Sequence, residues 1–548
     1  MAQQLYFSRD TRMFVQFRDG TDNSEAAANL GRGFVWEIPI LDGYSFSQTT
    51  NTSEITLAEM ESTAGISRRG SRMFTDSLAP AEWSFSTYIR PFKSAGSVNN
   101  PTNALADANE ETHAVEEVLW GSMLGADTFA SYAFKRTTNP AETNGPVSTP
   151  GANDLAFVIS ESNRSALHSF VIYFLIDTAT SNPLVYRLPE SVVNEVSVDF
   201  DVDGIATLNW SGFAKEVQDV SGSVVVGASA PANTSVTTKD ASTIALGDIF
   251  INTSQDRSFN LIKTLASPCT VVRATDEAAT STKNFIRNRL TSVSVEAAES
   301  TDKVAGTFPG ASAVVASYTS STITSTAHGF ANGDQVHFTG ATGQTFLNNK
   351  HLFVGAKTDD TYKLYDSYAK GIAGSSDQET LTATSYNAST ATAFNGKYSL
   401  VLTGGSFTIG NNITYLVPEE LGAINKPVEH VTGSRTSTGS ATCYITLEDE
   451  DLTNGTSRQF FNDLVGTGAM AKVVNKFKVT MNIGGATAAT AGSGDPALKI
   501  EFPTAHITVP THSIEDVISL ETEFTALPTD FGTADEITAI TYYPVDSY

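Results

Sequence analysis

Hydrophobic and polar positions alternate with a period of two along much of the chain. Trp83, Phe85, Thr87 and Ile89 alternate with Ser84, Ser86 and Tyr88. Val196, Val198, Phe200 and Val202 alternate with Ser197, Asp199, Asp201 and Asp203, and Leu520, Thr522 and Phe524 with Glu521 and Glu523. Successive side chains of a strand leave opposite faces, so each stretch predicts a strand with one covered face. Helical spacing shows in two places. Glu111 to Leu124 puts Val115, Val118, Leu119 and Met123 on one stripe, and Arg458 to Met470 gives a shorter stripe. The pattern predicts a mainly β protein with one helix in each half.

The order of these signals recurs. Asp42-Gly43-Tyr44-Ser45-Phe46 matches Thr403-Gly404-Gly405-Ser406-Phe407 at an offset of 361, and Thr87-Tyr88-Ile89 matches Cys443-Tyr444-Ile445 at 356. The helix at Leu119 matches that at Leu464 at 345, and the strand at Phe170 matches that at Phe477 at 307. Asn194 to Val198 matches Ala505 to Val509 at 311, and Thr11 to Phe17 matches Asn288 to Ser294 at 277. Offsets that change at loops are what a duplicated domain gives. The expected organisation is a first domain at 1–217, an ordered connector at 218–282, and a second domain at 283–300 and 395–548. The jump from 277 to 361 marks an inserted all-β module at 301–394, with strand-like pieces at Thr322–Thr324, Asp334–Phe338, His351–Val354 and Tyr362–Tyr365.

Charge narrows the function. Across 548 residues, 34 Lys and Arg face 60 Asp and Glu, a net charge of −26. Phosphate recognition draws on clustered Lys and Arg, so nucleic-acid binding and anionic membranes are disfavoured as energy sources. Five lysines against seven acids make the insert nearly neutral, so the acidity belongs to the rest. Two cysteines, Cys269 and Cys443, rule out a disulfide scaffold. The opening Met-Ala-Gln-Gln-Leu-Tyr has no basic-then-apolar leader, which predicts folding in a reducing cytoplasm.

Arg68 to Ile89 (RRGSRMFTDSLAPAEWSFSTYI) closely resembles the tail tube proteins of T-five-like long-tailed phages, and so does Gly404 to Leu416 (GGSFTIGNNITYL). Asn209-Trp210-Ser211-Gly212 and the stretch from Val473 to Ile507 follow in the same order. The resemblance implies two fused tube domains per subunit and homotrimeric, pseudo-hexameric rings. Such rings stack into a non-contractile tail of the virion, assembled in the host cytoplasm. The implied partners are further copies of the chain, a tape measure protein, tail terminator and distal tail proteins, and DNA that passes without specific binding. An Ig-like domain that follows the second tube domain in the family's best-known member is not expected before Tyr548. Ala327 to Phe338 (AHGFANGDQVHF) and Leu347-Asn348-Asn349 in the insert resemble the small β-domain named after the first catalytic-cysteine half-domain (FCCH) of the ubiquitin-activating enzyme. Nothing catalytic follows from that likeness, and contact with host surface glycans is one role open to the insert.

A tube closes its sheets edge to edge, which leaves an inner face. Asp199, Asp201, Asp203, Glu521 and Glu523 are the candidate lumen-lining acids, with Val196, Val198, Phe200 and Val202 on the covered side. A like-charged wall would let DNA slide. Solvated outer acids are the bland alternative. Arg68, Arg69 and Arg72 in the loop after Thr52, with Glu419 and Glu420 in its counterpart, are candidates for contact with the next ring. Local pairing on a surface loop is the alternative there.

No catalytic, cofactor-binding or metal-ligating set emerges, and no enzyme is expected. Asp199-Phe-Asp201-Val-Asp203-Gly204 imitates a calcium loop but carries Trp210 where a bidentate Glu is needed. His328, His337 and His351 match no zinc spacing. Cys443 aligns with Thr87 on an apolar face and reads as a buried strand residue. Competing readings are another duplicated-β virion component, such as a distal tail or adhesion protein, and a carbohydrate-binding protein.

Overall fold

The computed structural model describes residues 6–17, 34–57, 70–93, 112–125, 155–157, 167–177, 182–228, 235–236, 244–254, 257–265, 269–274, 286–288, 291–297, much of 312–395, 398–419, 425–446, 457–465, 477–484, 497–514, 517–528, 535–537 and 539–543. The first copy contains β1 (Thr11–Phe17), β2 (Phe34–Ile38), β3 (Ser45–Ser47), the hairpin of β4 (Thr50–Leu57) and β5 (Gly70–Leu78), and β6 (Ala81–Tyr88). Helix α1 (Glu117–Met123), β7 (Leu155–Phe157), β8 (Phe170–Ile176), the 18-residue β9 (Leu184–Asp201) and β10 (Thr207–Ala214) follow. The predicted helix is shorter than its stripe, because Thr112–Ala114 pairs as a strand with Pro91–Lys93.

Two layers result. One is β2-β1-β8 with the first half of β9; the other is β3-β6-β10 with its second half. β9 serves both because it bends at a bulge opposite Phe170 and Ile172, where Glu190 takes a φ of 51° after Pro189. Alternation then puts Met13, Val15, Trp36 and Phe174 of one layer against Trp83, Phe85, Val196 and Trp210 of the other. Val202 departs from expectation. It is 44% exposed, because β9 ends at Asp201 and nothing holds the next residue to the covered face.

The second copy repeats the plan with β11 (Ser292–Ala297), β12 (Tyr398–Leu400), β13 (Leu402–Gly410), the hairpin of β14 (Thr414–Leu416) and β15 (Glu429–Val431), and β16 (Thr436–Tyr444). It continues through α2 (Ser457–Val465), β17 (Phe477–Ile483), β18 (Leu498–Ile507), β19 (Thr511–Ile514), β20 (Ile518–Ala526) and β21 (Ala539–Tyr542). The ladders correct two offsets. Phe170 lies opposite Ser191 and Phe477 opposite Ala505, with Pro189 and Pro503 inside matching bulges, so β9 maps onto β18 and β19 at 314 rather than 311. Met13 faces Phe174 as Val293 faces Met481, so β1 maps onto β11 at 280 rather than 277. Likeness of residues misjudged both; hydrogen-bonded register decides them.

The copies join edge to edge. β9 pairs with β13 from Glu195↔Gly410 to Asp201↔Gly404, so one sheet runs β3-β6-β10-β9-β13-β16-β20, ending on β19 and the last residues of β18. Side chains staple this junction. Asn411 Nδ2 donates to the carbonyls of Met123 (2.9 Å) and Val193 (3.3 Å), Ile413 N donates to Asn194 Oδ1 (2.8 Å), and Tyr415 OH donates to the Glu190 carbonyl. Close packing adds to it: at Gly405 a Cβ would stand 2.7 Å from the Phe200 ring. Aromatic residues face glycine across two more ladders, but the roles exchange between copies. Trp83 faces Gly212 in the first, whereas Gly439 faces Phe524 at the equivalent pair in the second.

Outer faces differ. In the first copy Phe14, Val171, Tyr173, Leu175 and Val185 are covered by a five-stranded sheet within 224–273, through Ile249, Ile251, Phe259 and Leu261. Arg257 clamps that sheet through a bidentate pair with Asp177 at 2.5 and 2.6 Å. The second copy has Lys478, Thr480 and Asn482 where the first has Val171, Tyr173 and Leu175. Burial pushes the Glu501 carboxyl up, but Lys499 at 3.0 Å and Lys478 at 3.4 Å outweigh it and hold it below its ordinary value. The insert leaves between β11 and β12, in the layer away from the joined sheet, as an eight-stranded sheet around Tyr318, Val336, Phe338 and Tyr362. Contrary to expectation it is not all-β, because a short helix at Tyr368–Ala373 follows its strand at Thr361–Tyr365.

A second joint pairs β7 with β21. There Tyr542 OH donates to Glu116 Oε1 (2.6 Å) and accepts from Trp120 Nε1 (2.6 Å). Burial raises the Glu116 carboxyl from 4.5 to about 7, against the Tyr542 hydrogen bond and the charge of Arg90. A raised carboxyl pKa stabilises the fold below 4.5 and loses that contribution as pH rises to about 7. Stability should therefore fall across that window by up to about 3 kcal/mol, and Glu116→Gln should flatten this component in urea melts run at a series of pH values.

Candidate functional site

The uncovered face of the joined sheet is the candidate site. Its composition follows from alternation: core residues take one parity of the strands and mainly polar, mostly small residues the other, with Tyr88, Phe213 and Tyr444 near the strand ends. Ser45, Ser84, Ser211 and Glu195 follow one another across the strands, as do Ser86, Asn209, Ser197, Thr408, Thr438 and Thr525. A third row runs Thr207, Asp199, Ser406, Ser440, Glu523. Neighbours bond directly: Ser45 Oγ and Ser84 Oγ at 2.9 Å, Ser86 Oγ to Asn209 Oδ1 at 2.7 Å, and Ser406 Oγ and Ser440 Oγ at 3.1 Å. Short cross-strand hydrogen bonds of this kind hold a polar face flat without long side chains.

Four of the five predicted acids meet on this face. Asp199 and Asp201 project from β9 and Glu521 and Glu523 from β20, all exposed. Asp203 lies past the strand, in the turn that Asp201 Oδ1 closes by accepting from Gly204 N at 2.5 Å. That turn accounts for the calcium-like spacing. Glu82 and Glu195 belong to the same exposed face, although they were not predicted. Each sits between core residues of a recognisable strand (Trp83 beside Glu82, Val196 beside Glu195), and that parity was the available signal. The acids occupy different strands in the two copies: Glu521 and Glu523 stand where Asn209 and Ser211 do. Among the described positions of this face there is no lysine or arginine.

The hairpins β4–β5 and β14–β15 leave from one end of the sheet, and the β9–β10 turn lies at the other. Arg72 is exposed on β5 beside Met73 (68% exposed) and Phe74 (49%), and Leu416 and Val428 are exposed on the partner hairpin. The hairpins touch through Leu78 N to Asn425 O at 2.8 Å. Glu419 is exposed just past β14; Arg68, Arg69 and Glu420 lie outside the described residues.

The remaining candidates are structural. His328 bonds the Thr358 carbonyl through Nε2 (2.9 Å), accepts from Phe330 N at Nδ1 (3.0 Å), and packs against Tyr362. Cys443 is buried, with its thiol pushed up to about 12. Among the described residues no group of three or more His, Cys, Asp or Glu could hold a metal ion.

No family model matches the chain. Over 533 residues, 97% of its length, it is 23% identical to the tail tube protein pb6 of Escherichia phage T5, 75% of which it covers. The likeness to T-five-like tail tube proteins read from the motifs therefore extends along nearly the whole chain.

If the face acids serve something other than folding, removing them should cost little. Glu82→Gln, Glu195→Gln, Glu521→Gln and Glu523→Gln should each change stability in urea melts by no more than about 0.5 kcal/mol.

Proposed function

We propose that the chain is a non-enzymatic, structural subunit of a phage tail tube. The observation that carries this is the joined sheet: two homologous domains present one continuous polar face that is acidic and free of bases in its described part. The match to a phage tail tube protein supports the same reading. In this reading 1–217 and 283–300 with 395–548 are tube domains, 218–282 joins them, and 301–394 is an outward module. Three chains form a ring of six tube domains, and rings stack into the tube. The polar face lines the channel. DNA phosphates find serine and threonine hydroxyls there but no counter-charge to displace their ions, so contact stays weak. The tape measure protein occupies the same channel before DNA does, and terminator and distal tail proteins cap the ends.

The insert fits outside. It leaves from the layer opposite the polar face, and a β-domain of this size, with a radius of gyration of about 12 Å, would obstruct the channel if it pointed inward. Host glycans are one ligand such an outer module would meet. The hairpins with exposed Met73, Phe74, Leu416 and Val428 fit a role in reaching the next ring, with the arginines beside them meeting acids there.

Electron microscopy of the purified chain tests the assembly: hollow tubes or rings with three subunits per turn support it, and a stable monomer that degrades glycans overturns it. Asp199→Lys, Glu521→Lys and Glu523→Lys together should leave tails intact but slow DNA ejection several-fold, because the wall then holds phosphates. Unchanged ejection would remove the lining role. Reversing Arg68, Arg69 and Arg72 to Glu should stop stacking at single rings; tubes of ordinary length would remove the inter-ring role.

A further inference from the structure

Among the described residues the joined sheet has two open ends: β3 pairs only with β6, and β19 only with β20. These ends are the repeat equivalents of the strands that already pair at the junction. β3 corresponds to β13 at an offset of 361, and β19 to the second half of β9 at 314. A sheet edge with free N–H and C=O groups is a template for another strand, and a strand that matches it exists on a second copy of the chain.

We infer that the seam between neighbouring chains pairs β19 of one with β3 of the next, in the register of the internal junction. Transferring the junction pairs Ser197↔Thr408, Val198↔Phe407, Asp199↔Ser406 and Phe200↔Gly405 gives Thr511↔Ser47, His512↔Phe46, Ser513↔Ser45 and Ile514↔Tyr44. The inference rests on the tube reading and supplies the residues that make the contact. Side-chain chemistry agrees with the register. Ser47, Thr511, Ser45 and Ser513 continue the polar face, whereas Phe46, His512, Tyr44 and Ile514 fall on the covered side. Ile514 is 80% exposed, more than any other large apolar residue described, and its equivalent Phe200 is 5% exposed because the junction covers it. The aromatic–glycine pair Phe200/Gly405 becomes an aliphatic–aromatic pair Ile514/Tyr44, with the bulky residue now on the other strand.

The seam is built weaker than the junction. The positions of Asn411, Ile413, Tyr415 and Asn194 are held by Thr50, Thr52, Glu54 and Thr508, so the side-chain staples are missing. Thr508 already spends its hydroxyl on the Glu523 carbonyl (3.1 Å). Pro510 stands where the junction has Val196 and offers no N–H to a partner. Seven residue pairs at the junction thus shorten to four at the seam. One chain holds its own two domains together permanently while joining its neighbour reversibly, so free subunits resist closing into rings until another contact, such as stacking, adds to the seam.

Two measurements on the full-length chain test this. Facing residues on paired strands stand about 4.5–5.5 Å apart at Cα, within reach of a disulfide. The native cysteines Cys269 and Cys443 are buried. The double variant Tyr44→Cys/Ile514→Cys should cross-link chains on mild oxidation of assembled tubes, and Tyr44→Cys/His512→Cys should not. Cross-linking of the second pair in place of the first overturns the register. Tubes in which neither pair links overturn the seam while leaving the tube reading intact; a chain that never assembles counts against the tube reading itself. Separately, Thr50→Asn with Pro510→Val should tighten self-association of the unassembled chain about tenfold in sedimentation, by adding hydrogen bonds at the seam. Unaltered association of a variant whose melting temperature matches the parent overturns the claim that the seam is held weak by these positions.

Discussion

Everything in this molecule depends on one ladder, the pairing of β9 with β13. Two domains that each end in open strands would ordinarily be a liability, because open strands recruit whatever edge is nearest. Here one open edge of each copy is spent on the other. The ladder fixes the relative tilt of the copies and aligns their polar faces into one surface. It also puts α1 against both domains, with Met123 holding Asn411 and Trp120 holding Tyr542. A flexible tether alone would have allowed the faces to diverge. A hydrogen-bonded register does not slide, because a slip of one residue would turn every core side chain outward.

Polarity on the exposed face follows from the same geometry. Serine, threonine and asparagine satisfy one another across strands and keep side chains short over the middle of the surface. Acids are added at intervals and bases are left out of the described positions. Where charge is buried instead, the chain surrounds it. Glu501 lies between Lys478 and Lys499, and Glu116 is tied to Tyr542. The first arrangement holds a carboxylate ionised; in the second, burial favours the neutral carboxyl, while the Tyr542 hydrogen bond and the charge of Arg90 favour the ionised one.

Much of this was legible in the sequence because period-two alternation is a local signal. The strands at Trp83, Val196 and Leu520 and the pieces within the insert could be read from it, and so could the parity of Asp199, Asp201, Glu521 and Glu523. Register was not local. The bulges opposite Phe170 and Phe477 absorb residues that no count along the chain reveals, although the paired prolines Pro189 and Pro503 would have marked them. Strand ends were not local either, which is why Val202 and Asp203 fell outside the strand that their alternation suggested. Glu82 and Glu195 each stand alone among neutral residues in the sequence, and only the ladders bring them beside the other acids. The apolar outer face that receives the five-stranded sheet comes from the continuous run Phe170 to Ile176, which period-two alternation does not pick out, because a strand covered on both sides carries no alternation.

The exchanged aromatic–glycine pairs carry a consequence for how such a chain can change over time. Trp83 with Gly212 and Phe524 with Gly439 fill the same space from opposite strands. Copying one strand of the first domain over its counterpart in the second would set Trp against Phe, or Gly against Gly. One outcome overfills the core and the other hollows it. Recombination between the two halves is therefore penalised strand by strand and tolerated only when both partners move together. The duplication has become irreversible at the level of packing: two halves that began as copies are now a matched pair of different parts.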